Sequence, residues 1–210
     1  MSSDLTDNTR TDLAQALATL VAGEAVVYPT ETFYGIGVDA LSPAALERLF
    51  AIKEREPDKP VALIAADATT AFALAREVPQ RARRLAAAFW PGPLTLVLPA
   101  REGIPAALIG PDGGVGVRVS SHPLARALAA GLGRPISATS ANLAGQPPAV
   151  ELEAARRTLG SKVKVFLDGG TLNGGAPSTV VAVSAHRIRI IRSGAIAERE
   201  LTACIEPEKG

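Results

Sequence analysis

The chain has 210 residues, 47% hydrophobic and 20% charged, enough for one large α/β domain, or two small ones, with a substantial core. Its formal charge of +1 excludes a globally basic protein that coats nucleic acid by charge alone, so any anion site has to be local. Cys204 is the single cysteine, which excludes an intrachain disulfide, and His122 and His186 have no second His or Cys at ligand spacing, which argues against structural zinc.

Residues 1–10 (MSSDLTDNTR) are polar and read as a flexible N-terminus without the apolar core of a signal peptide. TDLAQALATLVAG then places apolar residues at helical spacing, with Gly23 as the stop. AVVYP reads as a short buried strand, PTET as a loop, and the stretch around YGIGVDA as a second strand. Ser42-Pro43 is a helix start, Ser as cap and Pro in the first turn, and that helix delivers Lys53 at its end. VALIAA is a buried strand, and two Ala/Arg-rich helices lie between Asp67 and Phe89. LTLVLPA and VGVRVS are strands, a helix runs from near Pro123 to GLG, and PISATS is a strand leading into the polar loop SANLAGQPP. ELEAARRTLG is a helix, KVKVFLDGG a strand and turn, and STVVAV with HRIRIIRSG an antiparallel pair. Strands and helices alternate throughout, which predicts a single α/β domain with a mixed sheet. No apolar run reaches membrane-span length, and the expected location is the cytoplasm.

Charge is patterned most tightly in Lys53-Glu54-Arg55-Glu56-Pro57-Asp58-Lys59. Pro57 and Pro60 oppose a continued helix. In an extended chain Lys53, Arg55 and Lys59 share one face and Glu54, Glu56 and Asp58 the other, giving a cationic edge suited to a polyphosphate; the alternative is a solvated charged loop. Other polar clusters fall at strand ends, where open α/β sheets collect ligands: Pro29-Thr30-Glu31-Thr32 with Tyr34, Arg118, Thr139-Ser140-Ala141-Asn142, Pro177-Ser178-Thr179, and Arg192-Ser193-Gly194. Period-two alternation sets Val115, Val117 and Val119 on one face and Gly116, Arg118 and Ser120 on the other. Arg118 is thus either an anion fork or an exposed strand arginine. Small hydroxyl and amide groups in TSAN suit close approach to a nucleotide, or else hold their own turns. There is no GxxxxGK[ST], GxGxxG or GxSxG motif, and both histidines fall at turns.

Taken in order, VVYPTETFYGIGVDA, IKEREPDKPVALIAA, FWPGPLTLVLP, VGVRVSSHPLARAL, PISATSANLAGQPP and PSTVV…IRSGAI resemble the YrdC-like family of threonylcarbamoyl-AMP synthases, from about Thr11 to Ile196. The resemblance implies a twisted mixed sheet flanked by helices with a deep basic cavity. It divides the chain into the flexible residues 1–10, a catalytic domain at 11–197 and a tail at 198–210, the short single-domain form. It implies conversion of L-threonine, bicarbonate and ATP to threonylcarbamoyl-adenylate and pyrophosphate. Partner proteins then pass the group to the adenosine beside the anticodon in tRNAs reading ANN codons. By resemblance, Lys53 and Arg55 of the K-x-R motif are catalytic and hold the ATP phosphates with Lys59. Ser140 and Asn142 of [ST]-S-A-N and Arg192 of R-x-G bind the nucleotide. Thr30 contacts threonine, Thr32 and Tyr34 shape its pocket, Arg118 takes its carboxylate, and Ser178 lies nearby. Magnesium is expected on the ATP phosphates without dedicated protein ligands. Glu56 stands where many relatives have proline. Replacing Lys53 or Arg55 by alanine is expected to abolish turnover with the fold intact. The competing readings are a double-stranded RNA or tRNA-binding module without turnover, a carbamoyl-transfer domain of the hydrogenase-maturation type, and a nucleotide-binding regulator.

Overall fold

The computed structural model describes residues 7–54, 60–143 and 145–205. Along them the expected alternation holds: α1 (Asp7–Val21), β1 (Val26–Pro29), β2 (Tyr34–Gly37), α2 (Pro43–Lys53), β3 (Ala62–Ile64), α3 (Ala68–Phe72), α4 (Gln80–Phe89), β4 (Leu94–Pro99), β5 (Gly114–Arg118), α5 (Pro123–Leu132), β6 (Ile136–Ser140), α6 (Leu152–Leu159), β7 (Val165–Phe166), β8 (Thr179–Val183), β9 (Ile188–Arg192) and α7 (Glu198–Ile205). Local chemistry sets the ends. Ser42 caps α2 by accepting from the Ala45 amide at 3.3 Å, with Pro43 in the first turn. Asp67 and Thr70 cap α3 reciprocally. His122 caps α5, its Nδ1 accepting from the Leu124 amide at 3.3 Å.

The strands form one nine-stranded sheet in the order β7-β1-β2-β6-β3-β5-β4-β8-β9. The β7–β1, β3–β5 and β4–β8 pairs are parallel and the other pairs antiparallel, so the sheet is mixed as expected. Alternation sorts the side chains to two faces. On one, Leu63, Val115 and Val117 pack with Leu46 and Leu49 of α2 and Leu159 of α6. Farther along it, Leu94, Leu96, Leu98, Val181 and Val183 pack with Leu85 of α4 and Leu201 of α7. On the opposite face Val26, Tyr28, Ile64 and Ile136 bury against Ala16 and Leu20 of α1 and Ala125 and Leu128 of α5. Those two helices cover that face only in part. No helix among the described residues is long and apolar enough to cross a membrane.

Three expectations change. The N-terminal helix begins at Asp7, so residues 7–10 belong to α1 and not to a flexible lead. The segment expected as a tail contains α7, because burying Leu201 beside Leu85 gives residues 198–205 a reason to be helical. The charged segment does not alternate from Lys53: this residue ends α2, and Glu54 adopts a left-handed conformation with φ 50°. Glu54 instead pairs with Lys162. Arg55 and Lys59 lie outside the described residues.

Candidate functional site

A cavity of about 600 Å³ opens where α1 and α5 leave the sheet face bare, a size typical of small-molecule sites. Gly35, Ala62, Gly116 and Ala138 line it from the neighbouring strands β2, β3, β5 and β6. Small side chains there leave the room that Leu and Val fill on the other face. Thr30, Thr32, Tyr34, Arg118, Ser140, Ser178 and Arg192 also line it. Side chains far apart in the chain therefore meet around one hollow.

Arg118 obeys the alternation: Val115 and Val117 enter the core while Gly116 and Arg118 face the cavity. It is only 8% exposed, which rules out the exposed-strand alternative. Glu31 pairs with one Nη of Arg118, and the Ser120 hydroxyl donates to the other Glu31 oxygen. Glu31 does not itself line the cavity, so it grips the guanidinium from behind. The partners are 87 residues apart, so nothing local in the sequence signals this pairing. Thr30 fixes the PTET loop, its hydroxyl donating to the Phe33 carbonyl at 2.7 Å and accepting from the Phe33 and Thr32 amides at 3.3 Å. The Tyr34 hydroxyl donates to the Gly170 carbonyl at 2.8 Å and accepts from the Gly169 amide at 3.0 Å. Burial is the main reason its pKa is raised, so it stays a neutral phenol.

Arg192 reaches from β9 to Ser178: Nε and Nη2 donate to its carbonyl at 3.2 and 2.8 Å, and Nη2 to its hydroxyl at 2.9 Å. That hydroxyl also lies 3.1 Å from the hydroxyl of Thr95. Among the described residues no carboxylate pairs with Arg192. Burial first, and then the charge of Arg118, pulls its pKa down. Two guanidiniums that repel each other across one cavity, with a single carboxylate behind one of them, leave a positive surplus that an anion relieves. Gly194 lets this corner close: a Cβ there would sit 2.2 Å from the Pro177 carbonyl oxygen and 2.6 Å from backbone atoms of Ser178 and Thr179. Gly194→Ala is therefore expected to destabilise the protein by about 1–3 kcal/mol through overpacking. A melting temperature lower by several degrees in differential scanning calorimetry, together with a weakened Arg192–Ser178 corner, is the expected result.

Lys53 does not line the cavity. It is 3% exposed, and its Nζ donates to the Ser140 carbonyl at 2.6 Å, to Asn142 Oδ1 at 3.0 Å and to the Asn142 carbonyl. Ser140 Oγ donates to Asn142 Oδ1 at 2.6 Å, and Asn142 Nδ2 donates to the Gln146 carbonyl. The TSAN loop is thus held by its own turns and by an ammonium beneath it, with Thr139 and Ser140 presented to the cavity and Asn142 behind them. An alanine at Lys53 would leave these acceptors without this donor, so a loss of stability is expected beside the loss of turnover. His122 sits at a turn as expected, its Nδ1 engaged in capping α5, and burial lowers its pKa, opposed by Glu31 and assisted by Arg126.

One cavity-lining residue was hidden from the sequence. Strict alternation places Arg189 and Arg192 on opposite faces of β9, yet both line the cavity. Val180 pairs with Arg192 but Val181 with Ile190, so a bulge takes up Ile191 and returns both arginines to one side.

The family model described as "Telomere recombination", for the Sua5/YciO/YrdC domain, matches residues 18–194. The chain is 37% identical over 183 residues to the threonylcarbamoyl-AMP synthase of Pyrococcus abyssi, a match spanning 87% of this chain and 54% of that one. It is 34% identical to the threonylcarbamoyl-AMP synthase of Photobacterium profundum, spanning 87% of this chain and 99% of that one. The chain thus covers little more than half of the Pyrococcus relative and nearly all of the Photobacterium one. Among solved structures, Pyrococcus abyssi Sua5 complexed with L-threonine superposes with a TM-score of 0.87 at 35% identity, covering 92% of this chain and 57% of that one.

Proposed function

The chain belongs to the Sua5/YciO/YrdC family, and from that membership we propose that it acts as a threonylcarbamoyl-AMP synthase. The observation that carries this reading is the convergence of Arg118 and Arg192, with the hydroxyls of Thr30, Thr32, Ser140 and Ser178, on one cavity of about 600 Å³. Relatives of that name, and a similar structure holding L-threonine, support it.

Arg118, steadied by Glu31, takes the threonine carboxylate through its remaining donors. Thr30, Thr32 and Tyr34 bound the amino acid, and Ser178 stands between it and the nucleotide. The threonine amine adds to bicarbonate with loss of water and gives a carbamate, already an anion. One carbamate oxygen attacks the α-phosphorus of ATP, the α–β anhydride bond breaks, and pyrophosphate leaves. No strong general base is required, so positioning and cationic stabilisation supply the catalysis. Arg192 and Ser140 bind the nucleotide, Lys53 and Asn142 hold the loop that presents Ser140, and Arg55 and Lys59 join the phosphates. Magnesium arriving with ATP would supply further charge neutralisation for the leaving pyrophosphate, beside that given by Arg192. Among the described residues no cluster of three or more His, Cys, Asp or Glu is placed to hold a metal. The product then supplies partner proteins that modify the adenosine next to the anticodon of tRNAs reading ANN codons.

Incubation of the protein with L-threonine, bicarbonate, ATP and Mg²⁺ is expected to yield threonylcarbamoyl-adenylate, detected by mass spectrometry, with one pyrophosphate per adenylate. Omitting threonine or bicarbonate should suppress both. ATP binding with no adenylate formed under these conditions would rule out the enzyme and favour a nucleotide-binding regulator.

A further inference from the structure

Across the mouth of the cavity, Arg189 of β9 pairs through Nη2 with Asp112, in the loop that precedes β5. Both residues line the cavity. Their side chains are 55% and 71% exposed, so the pair sits in water and is weak. The bulge that absorbs Ile191 keeps Arg189 on the same side as Arg192. Arg192 already spends Nε and Nη2 on Ser178, whereas Arg189 is held by a single contact that a stronger anion can replace.

We infer that Arg189 is a further polyphosphate-binding residue, and that Asp112 is a competing carboxylate that the phosphates of the nucleotide displace. The inference rests on the reading of this cavity as an ATP site and names the group that meets the triphosphate at its mouth. A triphosphate offers several charged oxygens to a guanidinium where Asp112 offers one carboxylate, so exchange favours the nucleotide. The two residues therefore act on nucleotide affinity with opposite signs, which an ordinary surface ion pair does not do.

Calorimetric titration of Mg-ATP into the wild-type protein, Arg189→Ala, Asp112→Asn and the double variant tests this. Arg189→Ala should weaken ATP binding about tenfold, the loss expected for a charge-assisted contact to phosphate. Asp112→Asn should tighten it about threefold, the worth of an exposed pair. The double variant should match Arg189→Ala, because without the arginine there is nothing for Asp112 to sequester. Both sites are exposed, so melting temperatures should stay near that of the wild type. Wild-type binding of ATP with unchanged affinity in both single variants would overturn the inference and leave the functional reading standing. So would a loss of affinity in Asp112→Asn. Failure of the wild-type protein to bind ATP would overturn both.

Discussion

Arg118→Ala is expected to remove threonine-dependent pyrophosphate release almost completely. The guanidinium is 8% exposed and meets the cavity with the donors that Glu31 does not use. Truncating one partner of a buried, hydrogen-bonded charge pair costs about 2–5 kcal/mol, so kcat/KM for threonine should fall by roughly two to three orders of magnitude. Arg118→Lys should recover little of this, because a point charge on a flexible stem does not reproduce a planar fork. The single variant also strands the Glu31 carboxylate in a nearly buried place and should melt lower, since breaking a buried pair is destabilising. Arg118→Ala combined with Glu31→Gln separates the two effects. Melting temperature should return toward the wild-type value, while threonine binding followed by calorimetry stays lost. Near-normal threonine affinity in either variant would remove Arg118 from the site.

Lys53→Met should lose activity and stability together. The methionine fills similar space but gives nothing to the Ser140 carbonyl, the Asn142 carbonyl or Asn142 Oδ1, all of which the ammonium now serves. Each buried acceptor left without a donor costs about 1–3 kcal/mol. A total near 3 kcal/mol corresponds to a melting temperature lower by roughly 6–12 °C for a chain of this size. Freed of its anchor, the TSAN loop no longer fixes Ser140 at the cavity wall, and kcat should fall with KM for ATP rising. Scanning calorimetry and a pyrophosphate-release assay on the same preparation check both. An inactive variant that melts with the wild type would mean that Lys53 works on the ligand directly and not through the loop.

Much of this was legible from local pattern. Alternation in VGVRVS placed Arg118 opposite Val115 and Val117, and the cavity lies on that side. Ser42-Pro43 and Gly23 bounded their helices because caps and stops are set by neighbouring residues. The six ordered strings were enough to anticipate the family. Less legible was the way charges are spent. A lysine ending a helix beside prolines carries no sign that it is buried, as Lys53 is. The Ser140 carbonyl and the Asn142 carbonyl and Oδ1 that it serves come from a loop 87 to 89 residues away. Glu31 read as one more polar loop residue, yet it fixes the orientation of Arg118.

Sequence alone determined most of the elements and the apolar face of core strands such as β5, because those follow from neighbours within a few positions. Tertiary structure alone decided which cations face the cavity and which are committed to the protein's own oxygens. That choice depends on pairings between distant segments, Glu31 with Arg118 and Lys53 with Asn142, and on the single extra residue in β9 that turns Arg189 and Arg192 the same way. A one-residue shift in register reverses the face of a side chain, and nothing in the local composition of β9 records that shift.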